Sequence, residues 1–187
     1  MDDWLLKIQN SEILVVDLDG TLIETSQANM LAYQAATLEV TGNTLPEQVD
    51  SCDRLTRNKL QQILLDFPTQ VLDAIVQRKE VIYEQFLHTT LLNTKLYQLL
   101  DICHDKVLVL ATNARQTRAE QLLHQHNLHH LFAVCYYHDE VQPNKFKQIF
   151  ARFRDREIII IENEIAQVKL ALAAGADLHN VILVNAI

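Results

Sequence analysis

The sequence predicts an α/β fold built on a doubly wound parallel sheet, with a helical segment inserted after the first strand. Three observations carry this. Five short β-branched runs occur, and each is unbroken rather than alternating, as expected of strands buried on both faces. Helical stretches separate the later runs, which gives the βαβα alternation of an open sheet. Residues 22 to about 103 break that alternation, with several amphipathic helical patterns and no strong strand signal.

The elements follow in order. The first strand is "EILVVDL" (12–18). Amphipathic helices are then predicted at roughly 27–40, 46–65, 70–87 and 95–103, with Pro46 near the start of the second and Pro68 just after its end. The pattern is best developed in "VLDAIVQRKEVIYEQFL", where Val71, Leu72, Ile75, Val76, Val81, Ile82 and Phe86 fall near one stripe. The second strand is "KVLVLAT" (106–112), followed by a helix in "TRAEQLLHQH" (117–126) and a strand in "FAVCYY" (132–137). A helix in "KFKQIFARF" (145–153), a strand in "EIIII" (157–161), a helix in "AQVKLALAAG" (166–175) and a last strand in "VILV" (181–184) complete the series, with Gly175 as a helix stop. The expected division is a core of residues 1–22 and 92–187 and an inserted helical cap at 23–91.

Composition narrows the function. With 187 residues the chain can bury a sizeable core, and an apolar fraction of 49% argues against disorder. Net charge is −8 and the Lys and Arg residues are scattered, so nothing suggests a nucleic-acid surface. The start has no basic leader and no long apolar segment, so a cytoplasmic protein without a membrane partner is expected. Cys52, Cys103 and Cys135 are isolated in apolar or helical patterns and read as buried thiols.

The chemistry concentrates in "ILVVDLDGTLIET" (13–25), where Asp17 and Asp19 stand one residue apart at the end of the first strand. In a doubly wound sheet, ligands bind outside the carboxyl ends of the strands. Thr112 and Asn113 reach the same end of the second strand, so these groups should converge. Two carboxylates at that spacing call for a positive partner, and a divalent cation, Mg²⁺, would neutralise both them and a bound phosphate. A carboxylate nucleophile, a second acid to move protons and a hydroxyl to hold phosphoryl oxygens make a coherent transfer site.

"DLDGTL" resembles the first motif of the haloacid dehalogenase-like (HAD) hydrolases, and "LVLATNARQTRAEQLL" resembles their second. The resemblance covers nearly the whole chain, with the insertion where the phosphoglycolate phosphatase-like branch places its cap on a Rossmann-like core. It implies that Asp17 is the nucleophile that forms an aspartyl-phosphate. Asp19 would be the general acid and base, with its backbone carbonyl on the metal, and Thr112 would hold the transferring phosphoryl group. Gly20, Thr21 and Asn113 are the implied substrate-binding neighbours. The Asp at position 19 implies phosphoryl chemistry rather than carbon–halogen cleavage.

Two motifs depart from the family. In "DEVQPNKFKQIF" the expected Lys falls on Gln142, and Lys145, rather than Lys147, is taken as its replacement at the start of the helix. In "IENEIAQVKLALAAG" Asn163 takes the place of the metal-binding Asp and Gln167 that of a later Asp, with Glu162 and Glu164 flanking and Glu164 able to replace a lost ligand. The implied metal set is therefore Asp17, Asp19, Asn163 and Glu164. The resulting expectation is an Mg²⁺-dependent phosphatase for a small phosphorylated metabolite. The alternatives are a catalytically impaired relative that binds a phosphorylated ligand or a protein, and a phosphomutase. The histidines of "HQHNLHHLF" match no compact zinc spacing and suit a helix end. Arg54, Arg57 and Lys59 in "DRLTRNK" read as a solvated helix face, with contact to an anionic substrate as the sharper alternative.

Overall fold

A computed structural model describes residues 3–46, 55–65, 67–139, 141 and 144–184, with side chains from residue 6 onward. Gln142, Cys52 and Arg54, which figure in the sequence reading, lie outside the described residues.

The chain divides into two compact units, one of residues 1–24 and 92–187 and the other of residues 25–91. The first is an α/β layer structure. Its strands are β1 (Ile13–Val16), β4 (Val107–Ala111), β5 (Val134–Tyr136), β6 (Ile158–Glu162) and β7 (Val181–Leu183), in the all-parallel order β5-β4-β1-β6-β7. The order reverses at β1, which is the topological switch point where such sheets bind ligands. β1 is buried at every position because both faces are covered, which is why its sequence is a continuous apolar run. One face presents Ile13, Val15, Val109, Ile158 and Ile160 to Phe146 and Ile149 of α7 (Lys145–Arg152) and to Ala171 of α8 (Ile165–Ala173).

Register fixes what meets at the carboxyl end. Val16 pairs with Leu110 on one side and Ile161 on the other. Asp17, Ala111 and Glu162 therefore leave the sheet side by side, and the Asp17 N–H donates to Ile161 O at 3.0 Å. Helices α5 (Thr94–Ile102) and α6 (Gln116–Gln125) flank β4 in sequence. Asn93 caps α5 by accepting from Leu96 N at 3.0 Å, and its Nδ2 donates to Thr21 O at 3.1 Å, so one side chain starts the helix and braces the loop after β1. Gly175, at φ 111°, ends the turn after α8 in a conformation that favours glycine.

Two features lie outside the elements expected from the sequence, a helix before the first strand and a ribbon whose two-residue strands are too short to express a period. Helix α1 (Asp3–Asn10) precedes β1, and Lys106 Nζ donates to the carbonyls of Gln9 and Ser11 at its end. β2 (Ile23–Glu24) and β3 (Leu91–Leu92) form a two-stranded ribbon.

The second unit is helical, with α2 (Ser26–Thr41), α3 (Arg57–Ile63), α4 (Thr69–Ile82) and a 3₁₀ turn from Tyr83 to Thr89. Met30, Tyr33, Leu60, Leu72, Ile75 and Ile82 belong to its core. The helix expected over 46–65 is seen only over its second half, residues 47–54 lying outside the described set. The helix expected over 70–87 tightens after Ile82, and the stripe assigned to it needs one correction. Val81 is 70% exposed, whereas Lys79 is 2% exposed, packed over the rings of Tyr33 and Tyr83 at 5.1 Å each and paired with Glu80 at 2.9 Å. Positions 75, 79 and 82 share one face at helical spacing and 81 does not; the long Lys stem takes the apolar place.

Of the cysteines described, Cys103 is buried and Cys135 only half-buried. Among the described residues no helix is long and apolar enough to cross a membrane.

Candidate active site

The loop that leaves β1 is folded tightly on itself. Leu18 O accepts from the N–H groups of Leu22 at 3.0 Å and Ile23 at 2.9 Å, and the Gly20 N–H donates to Ile23 O at 2.7 Å. Gly20 has φ +82°, and a Cβ there would collide with the Asn163 side-chain nitrogen. The positive φ favours glycine, and any side chain there would also oblige the Asn163 amide to shift. The loop holds Asp17 and Asp19 at 7% and 4% exposure. Thr21 Oγ1 donates to Asp17 Oδ2 at 3.2 Å, which fixes the carboxylate plane.

Lys145, the first residue of α7, reaches the same carboxylate from the other side. Asn144 begins that helix by accepting from Phe146 N at 3.1 Å, and burial of Phe146 beside it turns the lysine inward. Lys145 Nζ donates to Asp17 Oδ1 at 3.1 Å, to Ala111 O at 2.6 Å and to Glu162 Oε2 at 3.4 Å. Three acceptors match the three hydrogens of an ammonium group. Burial pulls its pKa down most strongly, but the Asp17 and Glu162 charges and hydrogen bonds together outweigh it, so the group is held charged.

Glu162 ends β6 almost wholly buried. Its Oε1 accepts from the N–H groups of Asn163 at 3.0 Å and Glu164 at 3.2 Å, capping the start of α8. Burial, then the Asp17 charge, raise its pKa to about 7 against the lowering pull of Lys145 and the backbone donors. Sequence reasoning placed Glu162 beside the site and missed its bond to Lys145; the usable signal was the alignment of the β1 and β6 ends. Arg118 was missed outright. It projects from the first turn of α6, and its Nη2 lies 3.4 Å from Asp19 Oδ2.

Thr112, just after β4, is 1% exposed, and its Oγ1 accepts from Ala114 N at 3.0 Å. Asn113 beside it is exposed, and Lys147 points away to solvent. Asn163 Oδ1 and Gln167 Oε1 are buried without a hydrogen-bond partner, although an amide oxygen in such a place normally has one. Glu164 is half-buried as the N-cap residue of α8.

The donor set fits a hard divalent cation, weakly. The Asp17 carboxylate, the Asp19 carbonyl and the orphaned Asn163 Oδ1 are oxygen donors, the type Mg²⁺ takes. Among the described residues no three acidic, His or Cys side chains gather as a metal cluster, so an ion here would lean on amide and backbone oxygens. The histidines around the end of α6 form none either: His124, His129 and His130 are exposed, and His129 lies 3.3 Å from Glu120. Arg57 bonds to Asp73 on the surface of the helical unit.

Comparison with known proteins gives a consistent picture. The sequence profile of the haloacid dehalogenase-like hydrolases matches residues 14–181. No curated protein matches the chain by sequence. Among solved structures, a predicted phosphoglycolate phosphatase from Haemophilus somnus is similar with a TM-score of 0.75 and 16% identity, over 94% of this chain and 85% of that one. A haloacid dehalogenase-like family hydrolase from Streptococcus pneumoniae gives 0.74 and 19%, over 90% and 83%. A proposed β-phosphoglucomutase from Thermotoga maritima gives 0.65 and 19%, over 91% and 83%. At these identities the likeness speaks for the fold.

Proposed function

Because the chain belongs to the haloacid dehalogenase-like hydrolase family, we propose that it is a phosphatase that hydrolyses a small phosphomonoester through an aspartyl-phosphate on Asp17, with Mg²⁺ as cofactor. The observation that carries this reading is the clasp on Asp17. Its carboxylate is oriented by Thr21 on one oxygen and by the buried Lys145 ammonium on the other. A carboxylate held this way is aimed, and it is paired with a cation that would equally serve the oxygens of a transferring phosphoryl group.

In the first half-reaction an Asp17 oxygen forms a bond to phosphorus while the bond from phosphorus to the substrate alcohol breaks, and Asp19 gives the leaving oxygen its proton. In the second, a water oxygen bonds to phosphorus as the Asp17 oxygen–phosphorus bond breaks, Asp19 takes the water's proton, and inorganic phosphate leaves with Asp17 restored as a carboxylate. The Thr112 hydroxyl accepts from Ala114, which leaves its own hydrogen for a phosphoryl oxygen, and the exposed Asn113 amide lies next to it. The Gly20 N–H and the Thr21 hydroxyl are engaged within the chain, so we assign them to shaping the loop. Mg²⁺, held by Asp17, the Asp19 carbonyl and Asn163 Oδ1 with Glu164 as the further candidate, would neutralise phosphoryl charge. We read the helical unit, residues 25–91, as the cap of this family.

The neutral amide of Asn163 favours a second reading, a relative with impaired chemistry that retains a phosphorylated ligand. A panel of phosphorylated metabolites assayed for phosphate release with and without Mg²⁺, with Asp17→Asn as blank, separates the two. Release that Asp17→Asn abolishes supports the phosphatase; binding without release supports the impaired relative.

A further inference from the structure

We propose that Arg118 is a positioning residue for Asp19, fixing the orientation of its carboxylate for proton transfer to the leaving alcohol; this rests on the phosphatase reading above. The two residues are 99 positions apart, and both are shielded, with side-chain exposures of 11% and 5%. An exposed pair at 3.4 Å would mean little, because solvent screens it. A shielded pair is different, since solvent does not screen it and removing one charge leaves the other desolvated without that attraction.

The placement also ties two catalytic loops together. Thr112 directly follows β4, and four residues later α6 begins at Gln116, so Arg118 stands on the helix that follows the phosphate-holding hydroxyl. Its reach to Asp19 thereby fixes the acid and base of the β1 loop with respect to the β4 loop. The chemistry of the side chain suits the task. A guanidinium is planar and does not lose its proton in proteins, so it orients a carboxylate without entering the proton transfer. At 3.4 Å the contact is longer than the roughly 2.7–2.9 Å of a tight charge-assisted bond, and the guanidinium favours the carboxylate that Asp19 becomes once its proton has passed to the leaving alcohol.

The Asp17 oxygen–phosphorus bond forms, the phosphorus–oxygen bond to the alcohol breaks, and the proton of the Asp19 carboxyl passes to the departing oxygen, leaving Asp19 as a carboxylate beside Arg118. An alkoxide needs that proton in order to leave, whereas nitrophenolate is a stable anion and does not. Loss of Arg118 should therefore be felt according to the leaving group.

The test is single-turnover release of the alcohol from the alkyl phosphomonoester that wild type hydrolyses fastest, compared with release of nitrophenolate from p-nitrophenyl phosphate. Arg118→Gln should slow the first by about 10²-fold, the low end for a general acid, and the second by less than about 3-fold. Arg118→Lys keeps the charge and should recover at least about 10-fold of the loss. Should Arg118→Gln fail to fold, Arg118→Lys carries the test, with the same asymmetry at smaller size. Equal slowing of both substrates would mean a merely structural role and overturn the proposal, as would no slowing of either. Release in wild type that survives Asp17→Asn would instead withdraw the phosphatase reading, whatever Arg118 does.

Discussion

Replacing Lys145 with Met should destabilise the protein by about 3–5 kcal/mol at pH 7.5, the cost of leaving a buried charge without its partner. The ammonium is 4% exposed and lies 3.1 Å from Asp17 and 3.4 Å from Glu162. At an effective dielectric of about 20 each of those attractions is worth roughly 5 kcal/mol, partly offset by the cost of burying the charges. Met keeps the apolar stem and removes the charge, so Asp17 and Glu162 are left facing one another with the Ala111 carbonyl unpaired. The deficit must depend on pH in a defined direction. Without Lys145 the Glu162 carboxyl loses the charge that holds its folded-state pKa down, so that value rises further above the unfolded one. A carboxyl raised in this way stabilises the fold below its unfolded pKa and loses that contribution as pH rises through its folded pKa. In wild type Glu162 is already at about 7, and the variant pushes it further. The deficit should therefore shrink by at least about 1 kcal/mol between pH 7.5 and pH 5. Urea unfolding of metal-free protein at the two pH values measures it, with Lys147→Met, at an exposed position of the same helix, as control. A deficit below about 1 kcal/mol at pH 7.5, or one that grows on acidification, would refute the reasoning.

Three further outcomes follow from single contacts. Gly20→Ala should cost about 1–2 kcal/mol in urea unfolding, since φ +82° is strained for any side chain and the Asn163 amide must shift as well. Asn93→Ala should cost about 1–2 kcal/mol by the same assay, because it removes both the cap of α5 and the brace on Thr21 O. Asn163→Asp should tighten Mg²⁺ binding at least about 10-fold in a calorimetric titration, because an adjacent carboxylate adds a full charge; unchanged affinity would show that position 163 does not meet the ion.

The core sheet was legible in the sequence because strands buried on both faces leave continuous apolar runs, and "ILVV" and "IIII" could hardly serve elsewhere. That Asp17 and Thr112 lie at the same sheet end followed from topology alone. The proximity of Lys145 to Asp17 depended on more than spacing: the turn that directs it inward is set by the Asn144 cap and the burial of Phe146. The bond of Glu162 to Lys145 and the role of Arg118 escaped the sequence for different reasons. Glu162 becomes the partner of Lys145 only through the register that sets Val16 beside Ile161. Arg118 stands four residues before the buried Leu122, and a cation on the apolar side of an amphipathic helix was the available signal. Val81 was misassigned because a stripe was extended to a residue that does not share its phase, while the buried Lys79 was passed over for its charge.

The account stands on Asp17 as nucleophile, and the most direct measurement is to look for the covalent intermediate. Protein mixed with a radiolabelled substrate from the metabolite panel and quenched in acid within its turnover time should carry a phosphoryl group on the peptide containing Asp17. That label should be released by hydroxylamine, as an acyl phosphate is, and absent from Asp17→Asn. Phosphate release at full rate with no label on that peptide, or with the label on another residue, would contradict the account.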